Sequence, residues 1–165
     1  MATVVHNLSY KEFQQRFGER HEYWYGEAIP KGMPTWIHGL LQKLVMSLLD
    51  QAGFIAASEV ELRIEPEARP KPDVIATRSG PTETYPTKAP DVIVEIISED
   101  DTYFRVREKC RKYEEWGCAL IYLVDPSDRS VSQWQDGSMV AVKYLAEISA
   151  DDLWTLFDEQ MKKRQ

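Results

Sequence analysis

Glu95 lies inside an almost wholly apolar run, Val92-Ile-Val-Glu-Ile-Ile97. A carboxylate in mid-strand with apolar neighbours on both sides is costly unless it is paired, metal-bound or protonated. A half-exposed strand face, or a buried pair with an arginine, would explain it without any activity. Charged residues are rarely fully buried without a partner, so a functional role is the favoured explanation, and the acids nearby bear on it. Asp73 opens a short strand after Lys71-Pro72, and Asp91 opens the next after Ala89-Pro90. Taken alone, each Pro-Asp reads as a turn or a strand entry. Taken together, two acids on neighbouring strands can converge on one divalent cation. Hard cations such as Mg²⁺ take carboxylate oxygens and keep several waters, one of which can attack a phosphodiester. Asp91 shares the strand face of Glu95 but sits about 13 Å along it, too far to hold the same ion.

Strands held side by side are what these acids need, and the hydrophobic periodicity predicts them. Ser9 caps a short helix over 10–17 with Phe13 and Phe17 at helical spacing, and residues 21–29 alternate around Gly26 as a hairpin. Residues 31–34 break the pattern. Ile37, Leu40, Leu41, Leu44, Val45, Leu48 and Leu49 then recur at three and four, a helix that Gly53 stops. Residues 54–64 read as one strand or a bent pair, with Val60, Leu62 and Ile64 alternating with charges. Six of the nine prolines fall between Pro66 and Pro90. They bracket a brief strand over 73–76 and punctuate a polar loop over 77–89, long enough to suggest function or mobility.

Residues 91–97 read as a strand covered on both faces. Residues 102–116 read as a helix whose apolar stripe is Tyr103, Val106, Cys110 and Tyr113, ended by Gly117. Residues 119–124 make a second buried strand. A strand over 131–134, an Asp136-Gly137 turn and a strand over 139–145 form a hairpin, and Ser149 with Asp152 opens a last helix over 153–162. Strand 91–97, its crossover helix and strand 119–124 form one βαβ unit, so the two strands should be parallel. The earlier strands, with short links, should be antiparallel. The fold class is α/β (α+β): a mixed sheet flanked by helices on both faces, with an added C-terminal hairpin and helix.

The composition excludes much else. The 165 residues, 43% hydrophobic and 11% aromatic, can bury a core as one domain over 1–165. The 27 acidic side chains against 20 Lys plus Arg leave a charge of −7, which argues against a general nucleic-acid or anionic-membrane coat. Two cysteines, Cys110 and Cys118, are too few for a disulfide framework and lack zinc spacing, so both read as buried thiols in a reducing, cytoplasmic setting. No leader sequence or membrane span is visible, and GxGxxG, GxxxxGK[ST], HExxH and GxSxG are absent.

PKPDV (70–74), PDVIVEIIS (90–98), Lys109 with Tyr113 and Gly117, and IYLVDP (121–126) together resemble the Uma family of endonucleases, in the restriction-endonuclease-like PD-(D/E)XK superfamily. YGEAIP (25–30) and the helix bearing His38 resemble that family's N-terminal segment and following helix. The resemblance implies a restriction-endonuclease-like core with Asp73 and Glu95 as the two motif acids. The motif's lysine belongs two residues after the second acid, and this sequence has Ile97 there. By the resemblance, Lys109 on the crossover helix is the candidate replacement. Strand 91–97 runs about 7 Å beyond Glu95. The helix returns about 10.5 Å between Thr102 and Lys109. Lys109 should therefore come back level with Glu95, about 80° from the centre of the apolar stripe. Without the family it would read as a snorkelling lysine on a solvated face. Glu27 is a possible third acid, otherwise an exposed hairpin glutamate. His38 is either site-facing or an ordinary helix-rim histidine.

Three functions follow. The first is a Mg²⁺- or Mn²⁺-dependent endonuclease acting on DNA, with Asp73 and Glu95 on the metal and Lys109 orienting water and phosphate. The second is a binding or scaffold protein that keeps the fold without turnover, as Ile97 and the charge of −7 suggest. The third is a metal-dependent hydrolase of a small phosphate compound. A basic rim made by Lys71, Arg78, Lys88, Arg105 and Arg107 would favour nucleic acid, and an acidic rim the other two. Eight Tyr and five Trp, among them Tyr23, Trp24, Tyr25 and Trp134 in hairpins, also suggest a homodimer.

Overall fold

The computed structural model describes residues 6–32 and 35–163. The far end of the breaker stretch, residues 33 and 34, and the first five residues of the chain lie outside that range. In chain order the elements are α1 (Tyr10–Arg16), β1 (His21–Trp24), β2 (Glu27–Pro30), α2 (Trp36–Gln51), β3 (Ile55–Ser58), β4 (Ala68–Arg69), β5 (Val74–Thr77) and β6 (Val92–Ile96). They continue with α3 (Tyr103–Trp116), β7 (Leu120–Asp125), β8 (Ser130–Gln135), β9 (Ser138–Ala141), β10 (Tyr144–Leu145), β11 (Ile148–Ser149) and α4 (Ala150–Lys162).

Six strands form the main sheet in the order β3-β5-β6-β7-β8-β9. Only β6 and β7, joined through α3, run parallel; the other neighbours are antiparallel. All five residues of β6 are buried, as a strand covered on both faces requires. Period two divides its neighbours between two layers. Val74, Val92, Val94 and Val124 pack under α2 and α4, whereas Ile75, Ile93, Ile121 and Leu123 pack under Val106, Cys110 and Tyr113 of α3. Both cysteines are buried free thiols. In the β5–β6 register Val74 faces Val94, so one step outward sets Asp73 opposite Glu95.

Local signals start and stop the helices. Ser9 and Glu12 make a capping box on α1, while Thr35, Thr102 and Ser149 cap α2, α3 and α4 through their side chains. Gly117 closes α3 at φ +108°, a conformation that costs a residue with a Cβ. Among the described residues no helix is long and apolar enough to cross a membrane.

Several expectations need correction. The strand expected over 54–64 stops at Ser58, because Glu59 takes φ +57° and Leu62 sends its N–H to the Pro70 carbonyl instead. Tyr103 is not in the apolar stripe; it stands 66% exposed as the first residue of α3. The strand over 139–145 divides into β9 and β10, and β10 pairs with β11 as a separate ribbon. Strands β1 and β2 form the hairpin expected over 21–29, and β4, which the sequence did not foretell, joins it as the third strand of a small sheet β2-β1-β4. Tyr23, Trp24 and Trp134 are 1%, 4% and 3% exposed, so these aromatics fill cores rather than offer an interface.

Candidate active site

Asp73 is buried just ahead of β5. Its Oδ2 accepts the Ile96 N–H of β6 at 2.7 Å, and its Oδ1 lies 3.1 Å from His38 Nε2 of α2 and 3.4 Å from Lys31 Nζ. Burial pushes its carboxyl up, but His38, Lys31 and the Ile96 N–H together bring it below the ordinary carboxylate value. The same hydrogen bond to Asp73 raises His38 against its own desolvation. Gln42, one turn further along α2, donates to the Asp73 carbonyl at 2.8 Å and fixes the backbone there.

Glu95, on β6, presents Oε1 to the Tyr113 hydroxyl at 2.8 Å and to Lys109 Nζ at 3.1 Å. Burial raises its carboxyl to about 7; Lys109 opposes that rise, and Asp73 and Glu22 add to it. Lys109 is also buried, and its desolvation is outweighed by Glu22, Glu95 and Asp73, which raise it. The two partners are raised for different reasons: burial, with like charge from Asp73 and Glu22, raises Glu95, whereas the surrounding anions raise Lys109 against its burial.

Glu22 and Lys31 were not foreseen. Glu22, on β1, is 4% exposed and accepts the Lys71 N–H at 2.7 Å while pairing with Lys109 at 3.1 Å. Lys31 follows β2 directly and reaches Glu59, the Lys71 carbonyl and Asp73. Burial lowers it, but Glu22, Asp73 and Glu95 raise it more. A signal for Glu22 existed in the alternation of HEYW, where it stands between aromatic neighbours. Lys31 offered none beyond its place in a breaker stretch.

The cleft that these side chains line encloses about 60 Å³ of open space. Ile97 lines the same cleft without charge. Glu27 is not gathered into it; its oxygens lie 3.2 Å from Arg105 and from His6. Asp91 accepts the Arg78 N–H at 2.8 Å and closes the neighbouring loop. Of the five cations expected on the rim only Arg105 lines the cleft, and Arg20 and Lys31 take the places of the rest. Lys71 lies over Phe13, and Arg78 over Phe54 beside Glu147.

The family model of Uma2, described as "Putative restriction endonuclease", matches residues 9–156. The chain belongs to the Uma2 family. Every residue of the cleft named above lies within that Uma2 match. A crystal structure from Anabaena variabilis ATCC 29413, described as a "putative nuclease belonging to DUF820", is similar with a TM-score of 0.74 over 90% of this chain and 98% of that one, at 20% identity. This likeness establishes the restriction-endonuclease-like fold for the Uma2 chain. A cryo-electron-microscopy structure of a DrdV–DNA complex matches over 70% of this chain and 11% of that one at 18% identity, with a TM-score of 0.41. No curated protein matched.

Proposed function

We propose that this Uma2 protein is a nuclease that hydrolyses phosphodiester bonds of DNA with Mg²⁺ or Mn²⁺, using Asp73, Glu95 and Lys109. The observation that supports this reading is the meeting of Asp73 and Glu95, carried by separate segments, in one cleft with a buried lysine.

The donor set fits a hard cation. Glu95 spends only Oε1 on Tyr113 and Lys109, and its carboxyl is raised chiefly by burial and further by the neighbouring Asp73 and Glu22. Asp73 keeps lone pairs on both oxygens beyond the hydrogen bonds it accepts. Among the described residues no three His, Cys, Asp or Glu side chains form a cage of their own. An ion held by these two carboxylates would complete its shell with water and phosphate oxygens, which suits Mg²⁺. Bound there, it would supply charge neutralisation at the phosphate and a more acidic water.

The chain's own groups have separable tasks. The Ile96 N–H and His38 orient the Asp73 carboxylate, and Tyr113 donates its proton to Glu95 and fixes that side chain. Lys109, held charged by its anions, donates to water and phosphate rather than accepting a proton. Incubating the protein with duplex DNA, single-stranded DNA and RNA in Mg²⁺ or Mn²⁺ tests this. Cleavage should appear with metal and fall at least about a hundredfold in E95A. Activity that E95A retains would end the reading.

One observation favours the other readings. The cleft shares His38, Ile97 and Ser98 with a hollow of about 550 Å³ whose walls also carry Glu99, Asp100 and Asp125. Acidic walls repel a duplex but tolerate a small phosphate compound, or no substrate at all. Metal-dependent turnover of a small phosphate ester without DNA cleavage would favour the hydrolase. Metal binding without any turnover would favour the scaffold.

A further inference from the structure

We infer that Glu22 is a positioning residue of this site: from the N-terminal sheet it clamps the Lys109 ammonium against Glu95. This rests on the reading of Lys109 as the lysine of the site. Lys109 Nζ lies 3.1 Å from both carboxylate oxygens of Glu22 and 3.1 Å from Glu95 Oε1, so the cation is held from two sides. Glu95 alone is a weak anchor, since the oxygen that meets Lys109 also accepts the Tyr113 hydroxyl. A four-carbon stem with free rotamers needs a second fixed anion to keep its charge at one point.

Glu22 is itself fixed. Strand β1 pairs with β4 through Tyr23↔Arg69 and Trp24↔Ala68, and that register carried outward sets Glu22 beside Pro70. Its Oε1 then takes the Lys71 N–H at 2.7 Å, and the Lys71 carbonyl takes Lys31. The peptide that leads into Asp73 is therefore tied to the carboxylate that holds Lys109. One rigid segment sets both sides of the cleft, and the N-terminal hairpin becomes part of the active site rather than an appendage.

Two variants of the full chain separate this role from simple support of the Lys71 peptide. E22Q keeps an oxygen for the Lys71 N–H but gives up the charge that holds Lys109, and E22A gives up both. Reductive methylation without metal or substrate, read lysine by lysine by mass spectrometry, reports how firmly each ammonium is held. In E22Q, Lys109 should react about tenfold faster, the effect expected when a buried ammonium loses one of two anions. Lys88 and Lys112 should be unchanged and Tm close to that of the wild type. On a DNA substrate that the wild type cleaves, kcat should fall with KM steady. A Lys109 rate in E22Q equal to wild type, or a rise shared by all lysines, overturns the inference. So does a change seen only in E22A, which would mark a purely structural residue. If the wild type cleaves nothing, the nuclease reading fails by itself while the labelling still decides on Glu22.

Discussion

Glu95 is the residue at which stability and chemistry pull in opposite directions. Its carboxyl is raised from 4.5 to about 7, chiefly by burial. The folded protein therefore holds a proton there that the unfolded chain has released, and stability falls as pH rises between those values. Above pH 7 the full cost, about 3 kcal/mol, is present, and below pH 4.5 it is absent. E95Q, neutral at all pH, should accordingly raise Tm at pH 8 in metal-free buffer and lose that advantage towards pH 4.5. Thermal unfolding across pH checks it, and a gain independent of pH would contradict it. K109A leaves Glu22 and Glu95 facing each other with no cation between them. It should cost about 3–5 kcal/mol in denaturant unfolding. The folded fraction should still bind Mn²⁺ yet cleave nothing. K112A should be nearly silent in both assays, because Lys112 pairs with Glu65, 40% exposed, at 3.1 Å. Glu95 was legible as an acid at odds with its apolar strand, whereas Asp73 and Lys109 became candidates through the resemblance to the Uma family, because alone a Pro-Asp reads as a strand entry and a helix-rim lysine as a snorkelling one. Glu22 left only the faint signal of standing between aromatic neighbours in HEYW, and Lys31 left none, since the role of each depends on a distant partner.

At the scale of elements, α3 carries Lys109 and Tyr113 together, so its placement decides where two of the site's donors fall. Gly117 ends it at φ +108°, and the next turn returns the chain to β7. G117A forces a Cβ into that left-handed cap and should cost about 1 kcal/mol. Tm should fall a few degrees while cleavage at 25 °C is unchanged, since the cap lies two turns from Lys109; a loss of kcat would show that the cap tunes the site. The long helices and the β6–α3–β7 unit were legible because period and caps are local. The pairs β1–β4 and β10–β11, two registered residues each, are too short to leave any period, and tertiary contact alone makes them.

For the whole molecule, the charge of −7 and the few cations at the cleft set how DNA would be held. Arg105 and Lys31 already face Glu27 and Asp73, which leaves few positive groups for phosphates. The slope of log K against log salt, about 0.9 per neutralised phosphate, should be shallower than about 3. Fluorescence anisotropy of a labelled duplex with the E95A protein measures it, and a steep slope would reveal a basic surface elsewhere. The homodimer remains an expectation from the aromatic content: Tyr23, Trp24 and Trp134 are internal, whereas Tyr25, Tyr103 and Tyr144 are open to solvent. Sedimentation across a wide concentration range decides oligomeric state directly.

The sequence by itself determined the two halves of the central unit, the strand around Glu95 and the helix around Lys109. Apolar period, caps and a closing glycine act within a few residues and need no distant partner. It also placed Asp73 at the mouth of the neighbouring strand. What only the tertiary structure decided is the company these residues keep. Pairing Tyr23 with Arg69 brings Glu22 to Lys109 and Lys31 to Asp73, across a gap in the chain that no period spans. The same long-range packing took Trp134 into the core and left Tyr103 outside. Local patterns fix which face a residue shows, whereas the partner it meets there depends on how separate segments dock.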